Sequence, residues 1–319
     1  MTTFSDQDRR KIRAAYLSVG SNSLLVVSKL VVGFLTGSVA IISEAVHSGM
    51  DLLAALLATY AVRKAAHPPD GGHAYGHGKF EDLSGTIEAA LIIIAAAIII
   101  IESLRRLVDM EGIELPLLGV AVMGVSAAVN WGVSSYLFKV ARETESIALE
   151  ADALHLRTDV YTSLGVMVAM LVIHYTDWYW VDPVVAIGVA ALIAYTAYEL
   201  TRRTVRDLVD APLPSEEREA IEGILHEHVG MHIGWDSIRT RRAGSERHID
   251  LHLHFPPSMP VKEAHYIAHH IQEDIEAALP RSQVLIHLEP CEGECPGCPE
   301  VECEDRGDEG PSGEPTPKS

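Results

Sequence analysis

The chain is long, apolar and acidic, with 319 residues, 48% of them hydrophobic, and a formal net charge of −19. This charge argues against nucleic acid or an anionic lipid surface as a partner, and it favours cations. All four cysteines (Cys291, Cys295, Cys298 and Cys303) lie close to the C-terminus, so no disulfide framework supports the fold. Residues 1–13 are polar and lack a cleavage-site pattern, so we expect a short N-terminal segment and no signal peptide.

Long apolar runs fill the first two thirds of the chain, whereas the last third is charged and rich in histidine. A helix that crosses a membrane needs about 20 predominantly apolar residues. Six segments meet this requirement, and they are residues 14–35, 39–62, 83–107, 116–138, 147–173 and 181–200. The predicted fold class is therefore a membrane α-helical protein, with a six-helix transmembrane domain at residues 14–210 followed by a separate domain.

The charges between the spans predict the orientation in the membrane, because Lys and Arg accumulate on the cytoplasmic side. Basic residues lie before the first span, in alternate loops and after the sixth span: Arg9, Arg10, Lys11, Arg13, Arg63, Lys64, Lys79, Lys139, Arg142, Arg202, Arg203 and Arg206. The loops on the opposite side of the membrane contain only two basic residues, Arg105 and Arg106, together with five acidic residues. We therefore expect an integral protein of the cytoplasmic (inner) membrane with both termini in the cytoplasm.

The second and fifth spans repeat one pattern, in which an acid, Ala and an aliphatic residue precede a His, and an Asp follows four positions later. The pattern gives His47 and Asp51 in one span and His155 and Asp159 in the other. Residues four apart share a helix face, and ionisable groups in a membrane mark a pathway or a partner. Two imidazoles and two carboxylates suit a tetrahedral divalent metal such as zinc. The alternative, two unrelated helices with a buried polar pair each, leaves the duplication unexplained.

The loop between the second and third spans holds three more candidate ligands among glycines. Asp70, His73 and His77 lie within eight residues, a spacing that could form a second metal site. The alternative is a flexible polar loop in which histidines happen to cluster.

The sequence after Asp210 changes to a pattern typical of a small α+β domain. Residues 211–290 begin with a linker and then predict a helix at 215–229, strands at 237–242 and 247–255, a helix at 260–279 and a strand at 283–289. This is a cytoplasmic αββαβ domain of the metallochaperone-like type. Period-two alternation places Asp250, His252 and His254 on one face of the second strand.

The last segment, residues 291–319, is acidic and rich in Gly and Pro, which predicts disorder unless a metal binds. Its four cysteines could hold a soft ion as thiolates, although exposed reduced thiols are an equal alternative.

The paired His-xxx-Asp helices, the six spans and the αββαβ domain resemble the cation diffusion facilitator family, from about Arg9 to Pro290. The similarity is strongest to its bacterial zinc transporters. It implies a homodimer in the lipid membrane that exchanges cytoplasmic Zn²⁺ for external protons. In that family the transport site lies between spans two and five, and the His-Asp combination is associated with zinc. The implied transport ligands here are His47, Asp51, His155 and Asp159.

The resemblance also implies three further features. The family's loop site corresponds to Asp70, His73 and His77. Its binuclear cytoplasmic site corresponds to His252, His265, His287 and Glu289, with Asp236 where the family usually has a histidine. Glu289 stands where an aspartate is common. Lys79 and Asp210 match a membrane-face salt bridge that links two protomers.

The expected function is efflux of a divalent cation by alternating access, most favourably as a Zn²⁺/H⁺ antiporter with a zinc-sensing cytoplasmic domain. Zinc requires neutral imidazole and ionised carboxylate, and histidine titrates near physiological pH, so protons and metal compete. The same carrier for Co²⁺, Fe²⁺ or Cd²⁺ is an alternative, as is a membrane metal receptor that does not transport. An intramembrane metallohydrolase is disfavoured, because no His-Glu-xx-His motif occurs and four protein ligands leave no position for water. We therefore expect that this protein is not an enzyme.

Overall fold

The computed structural model describes residues 5–36, 39–109, 117–176, 178 and 180–291. These residues form helices α1 to α8 and strands β1 to β3. The helices are Asp6–Thr36, Val39–Ala65, Lys79–Asp109, Leu117–Thr144, Ile147–Thr176, Val181–Leu208, Ser215–Glu227 and Val261–Ala278, and the strands are Gly234–Ala243, Glu246–Phe255 and Ser282–Pro290. The predicted tail lies outside the described residues apart from Cys291. That residue is buried, and its N–H donates to the carbonyl of Phe255.

The chain divides into two compact units, Met1–Ala211 with Ala243–Ser245, and Pro212–Arg242 with Glu246–Ser319. In the first unit, four helical segments within the described residues are long and apolar enough to cross a membrane. They are Asp6–Leu35, Ala45–Ala65, Lys79–Arg105 and Pro183–Leu208. The prediction of a transmembrane helical domain is therefore confirmed. The count of six spans stays a prediction.

Helices in the first unit pack in pairs, α1 with α2, α3 with α6 and α4 with α5. Small residues allow close approach between them. A Cβ atom added to Gly85 on α3 would lie 3.0 Å from Cγ2 of Ile147 on α5 and 3.1 Å from Cγ2 of Thr204 on α6. Contact between α2 and α5 brings the two helices that carry the His-xxx-Asp pattern together.

The second unit is a three-stranded sheet with strand order β1-β2-β3, packed with α7 and α8. Gly244, at φ +59°, provides the left-handed backbone that the two-residue turn between β1 and β2 requires. β2 and β3 run parallel, so the sheet is mixed. Ile249, Leu251 and Leu253 are buried in the core with Ile271 of α8. The alternate residues of β2 are therefore left for the opposite face.

Candidate metal sites

Four side chains that carry the repeated pattern converge between α2 and α5. Nε2 of His155 lies 3.2 Å from Oδ1 of Asp51, and Nε2 of His47 lies 3.6 Å from Oδ1 of Asp159. Ligand atoms of His47, Asp51 and Asp159 all lie within 4.8 Å of one another. Each histidine thus contacts the aspartate of the other helix, and the two pairs form one cluster.

Three members of this cluster are largely buried, and His47 is open to its surroundings. The side chains of Asp51, His155 and Asp159 are 5%, 15% and 17% exposed, whereas His47 is 59% exposed. Nδ1 of His155 and Oδ2 of Asp159 are buried and have no hydrogen-bond partner among the described residues. Buried polar atoms are normally paired. An unpaired carboxylate oxygen such as Oδ2 of Asp159 is an atom that a cation could pair with.

Sequence reasoning did not single out Lys29 on α1, which contacts α2 beside His47 in the sequence. Its side chain is buried, and Nζ donates to the hydroxyl of Ser48 at 2.8 Å, one residue after His47. A lysine inside an apolar span was the available signal, because an ammonium group is expensive in a membrane.

The loop after α2 brings Asp70, His73 and His77 together. Nδ1 of His73 lies 3.5 Å from Oδ1 of Asp70, and Nε2 of His77 lies 3.3 Å from Oδ2. The two imidazole rings are 4.4 Å apart between centroids. The three ligand atoms lie within 4.8 Å of one another, so these side chains could hold a metal ion.

Backbone hydrogen bonds hold the carboxylate of this loop cluster in its charged form. The amides of Gly72 and His73 both donate to Oδ1 of Asp70 at 2.8 Å. These bonds lower the pKa of Asp70. Because the carboxylate is ionised, and His77 is almost fully buried, the loop presents one fixed anion and one fixed imidazole.

A third cluster lies on the face of β2 opposite the core. Nδ1 of His252 is 3.4 Å from Oδ1 of Asp236 and 3.0 Å from Oε1 of Glu289. Their ligand atoms lie within 4.8 Å of one another. The parallel register places His252 beside His287, with ring centroids 5.1 Å apart. β1 begins at Gly234, earlier than predicted, and this puts Asp236 on the strand beside β2.

Two histidines, His254 and His265, bear on which residues make up this cluster. His254 contributes through Nε2, 3.1 Å from Oδ2 of Asp236, a role that the alternation of β2 indicated without naming a ligand. Hydrogen bonds from the side chains of Ser237 and His254 lower the pKa of Asp236. His265 is absent from the group of ligand atoms within 4.8 Å of one another among the described residues, so its role as a ligand stays a prediction. It lies exposed on α8, its ring 6.3 Å from that of His269.

Lys79 and Asp210 form an ion pair within this chain. Nζ of Lys79 lies 2.9 Å from Oδ1 of Asp210 and donates to the carbonyl of Leu208 at 3.2 Å. The pair therefore ties the start of α3 to the end of α6. The link between protomers that the resemblance implies stays a prediction.

Comparison with known families identifies two matching domains in this chain. The profile of the cation efflux transmembrane domain matches residues 15–209, and that of the cation efflux protein cytoplasmic domain matches residues 213–291. The chain therefore belongs to the cation efflux family, the cation diffusion facilitators. It is a membrane-integral member of a family of cation efflux transporters.

Individual relatives cover most of the chain. An uncharacterised transporter of Synechocystis sp., sll1263, is 35% identical over 87% of this chain and 90% of its own length. The cation-efflux pump FieF of Cronobacter sakazakii is 32% identical over 90% of this chain and 95% of its own length. A solved structure of CzrB, described as a candidate zinc transporter, is 35% identical, with a TM-score of 0.24. It covers 25% of this chain and 98% of its own.

Proposed function

We propose that this protein exports Zn²⁺ from the cytoplasm in exchange for protons. The observation that carries the proposal is the pair of contacts across α2 and α5, His155 with Asp51 and His47 with Asp159. Two imidazole nitrogens and two carboxylate oxygens are a ligand set that tetrahedral zinc accepts. Four candidate ligands in one cluster support transport of a divalent cation through this site.

Exchange follows from competition between protons and zinc for the same nitrogen atoms. A protonated His155 forms an ion pair with Asp51, whereas a zinc ion requires that imidazole in its neutral form. Zinc binding therefore releases protons, and protonation releases zinc. If the cluster opens in turn to the cytoplasm and to a more acidic exterior, the proton gradient drives zinc outward.

The remaining clusters support a regulatory part of the proposal. Asp70, His73 and His77 lie in the loop that the charge pattern assigns to the cytoplasm, where they would hold zinc near the start of the path. Zinc at the cluster of β2 and β3 would act as a sensor that shifts the transport equilibrium. The protein would lie in the inner membrane with both termini in the cytoplasm. It would act as a homodimer.

The same four ligands could also carry divalent ions other than zinc, so other transported metals belong to the proposal. Imidazole and carboxylate ligands also bind Co²⁺ and Fe²⁺, and the order of affinities among these ions depends on geometry. Cd²⁺ belongs to the same group of alternatives. A receptor that binds zinc without carrying it would use the same clusters, so the test must measure flux.

The experiment is zinc flux into proteoliposomes with an imposed pH gradient. Wild type should show gradient-driven flux, and Asp159→Ala should lose it while the folded dimer persists. Glu199→Gln is the matched control, because Glu199 is an exposed carboxylate on α6 outside the cluster, and it should keep its flux. Full transport by Asp159→Ala would refute the assignment. Zinc binding without flux in wild type would favour a receptor.

A further inference from the structure

Two histidines and an aspartate meet in the second unit where α7 ends beside α8. His228 terminates α7, and His270 and Asp274 lie one turn apart on α8. Nε2 of His228 is 3.1 Å from Oδ2 of Asp274, and Nε2 of His270 is 3.8 Å from the same oxygen. One ligand atom from each residue lies within 4.8 Å of the other two. None of these residues belongs to the three clusters described above.

The ring of His228 is oriented by the helix that it ends. Nδ1 lies 2.8 Å from the carbonyl oxygen of Ile224, which can only accept a hydrogen bond. The hydrogen is therefore on Nδ1, and in the neutral ring Nε2 holds the free lone pair. Histidines that bind metals usually donate their other N–H to a carbonyl or carboxylate in this way. The side chain is 11% exposed, so the ring has little freedom to turn away.

The α8 side of the cluster supplies two ligands on one helix face. His270 and Asp274 are four residues apart, and their side chains are 50% and 41% exposed. The rings of His228 and His270 are 5.3 Å apart and nearly perpendicular, with an angle of 78° between their planes. Solvent therefore reaches the cluster, and water can complete the coordination of an ion.

An ordinary surface ion pair is the plain alternative, and α8 contains one for comparison. Nδ1 of His269 lies 3.5 Å from Oε1 of Glu273, and both side chains are more than half exposed. That pair uses two residues of one helix. The cluster at Asp274 differs because a third ligand, with its lone pair fixed, comes from another helix.

We propose that His228, His270 and Asp274 bind a divalent transition metal ion, with two nitrogen ligands, one oxygen ligand and water. Imidazole ligands favour zinc and its neighbours in the first transition row over Mg²⁺ and Ca²⁺. An ion here joins the last turn of α7 to α8. Binding should therefore stabilise that turn against local opening. The site lies on residues that transport does not use, so it stands even if the transport assignment fails.

The test is hydrogen–deuterium exchange of the full chain in detergent, with and without Zn²⁺, followed in peptides that contain residues 224–231. Zinc at about ten times its dissociation constant should slow exchange there about tenfold, because only the closed form binds. Asp274→Asn should abolish this slowing. Glu273→Gln, which neutralises the adjacent carboxylate on α8, should retain it.

Zinc stoichiometry by equilibrium dialysis provides a second readout. Asp274→Asn should bind about one ion fewer per chain than Glu273→Gln, the loss expected when one site is removed. If Asp274→Asn speeds exchange without zinc, His270→Gln replaces it, because His270 is half exposed and its loss should not unfold the turn. Two results would overturn the proposal. One is a wild type whose exchange zinc does not slow. The other is equal slowing by zinc in wild type and in the variant used, whether Asp274→Asn or His270→Gln.

Discussion

His155 of α5 reaches Asp51 of α2, with 3.2 Å between Nε2 and Oδ1. The His-Asp pairs visible in the sequence are one turn apart on a single helix, whereas the contacts of His155 with Asp51 and of His47 with Asp159 both join two helices. Relative movement of α2 and α5 would therefore change the distances within the cluster. A change in the packing of α2 against α5 would therefore change the coordination of a bound ion.

The identity of the ligand at position 155 should control metal selectivity. In His155→Asp we expect Mn²⁺ flux to rise relative to Zn²⁺ flux by about tenfold or more, because oxygen ligands suit manganese and imidazole suits zinc. Proteoliposome uptake of each metal under the same pH gradient measures the ratio. Asp51→Asn, which removes a charge without adding an oxygen anion, should lose both fluxes. An unchanged ratio in His155→Asp would contradict a ligand role for this residue.

The cytoplasmic cluster should be separable from the transport site. Replacing both His252 and His287 by Ala should reduce the zinc bound in the second unit and weaken its zinc-dependent conformational response. Flux through α2 and α5 should persist at saturating zinc. Binding by dialysis and flux in the same preparations test this, with His226→Ala, an exposed histidine outside the cluster, as control. Loss of all transport-site binding in the double variant would refute the separation of roles.

Glu217 on α7 should make the stability of the second unit depend on acid pH. Burial raises its pKa, but Arg247 and Arg242 outweigh this and hold the pKa below its usual value. The stabilisation is complete above the unfolded pKa of about 4.3 and is lost as pH falls through the lower folded value. Glu217→Gln should lose about 1 kcal/mol at neutral pH.

Urea unfolding at neutral pH and in acid, monitored by tryptophan fluorescence, measures this effect. Glu216→Gln, on the exposed side of the same turn, should change stability less. The difference between Glu217→Gln and wild type should shrink as pH falls through the folded pKa of Glu217, because below that pH the carboxyl group is protonated in the folded and the unfolded state. A difference that stays constant with pH would mean that the ion pairs contribute nothing.

Close helix approach at Gly85 should make this position intolerant of a side chain. Gly85→Leu should destabilise the first unit by about 1–3 kcal/mol, because Ile147 and Thr204 leave no room even for a Cβ without adjustment. Thermal unfolding in detergent measures the effect. Gly132 on α4 has open space at its Cβ position, so Gly132→Leu serves as the control. Equal stability of the two variants would show that the helices can separate at little cost.

The sequence by itself determined which helices and strands form and which of them carry ligands. Long apolar runs define the helices of the first unit, because a membrane accepts only segments whose backbone is internally bonded. Alternation in β2 identified the face that carries His252 and His254. The duplicated pattern on α2 and α5 identified four candidate transport residues, since a four-residue spacing fixes a shared helix face whatever the tertiary fold.

Only the tertiary structure decided which side chains meet across elements. Contacts between His155 and Asp51, or between His228 and Asp274, depend on how two helices pack, and no local spacing encodes that. Asp236 joins the β2 cluster because β1 begins earlier than its apolar pattern indicated. His265 is exposed on α8, and its part in that cluster stays a prediction. Long-range packing is the sum of many weak contacts, so single residues in the sequence carry little information about it.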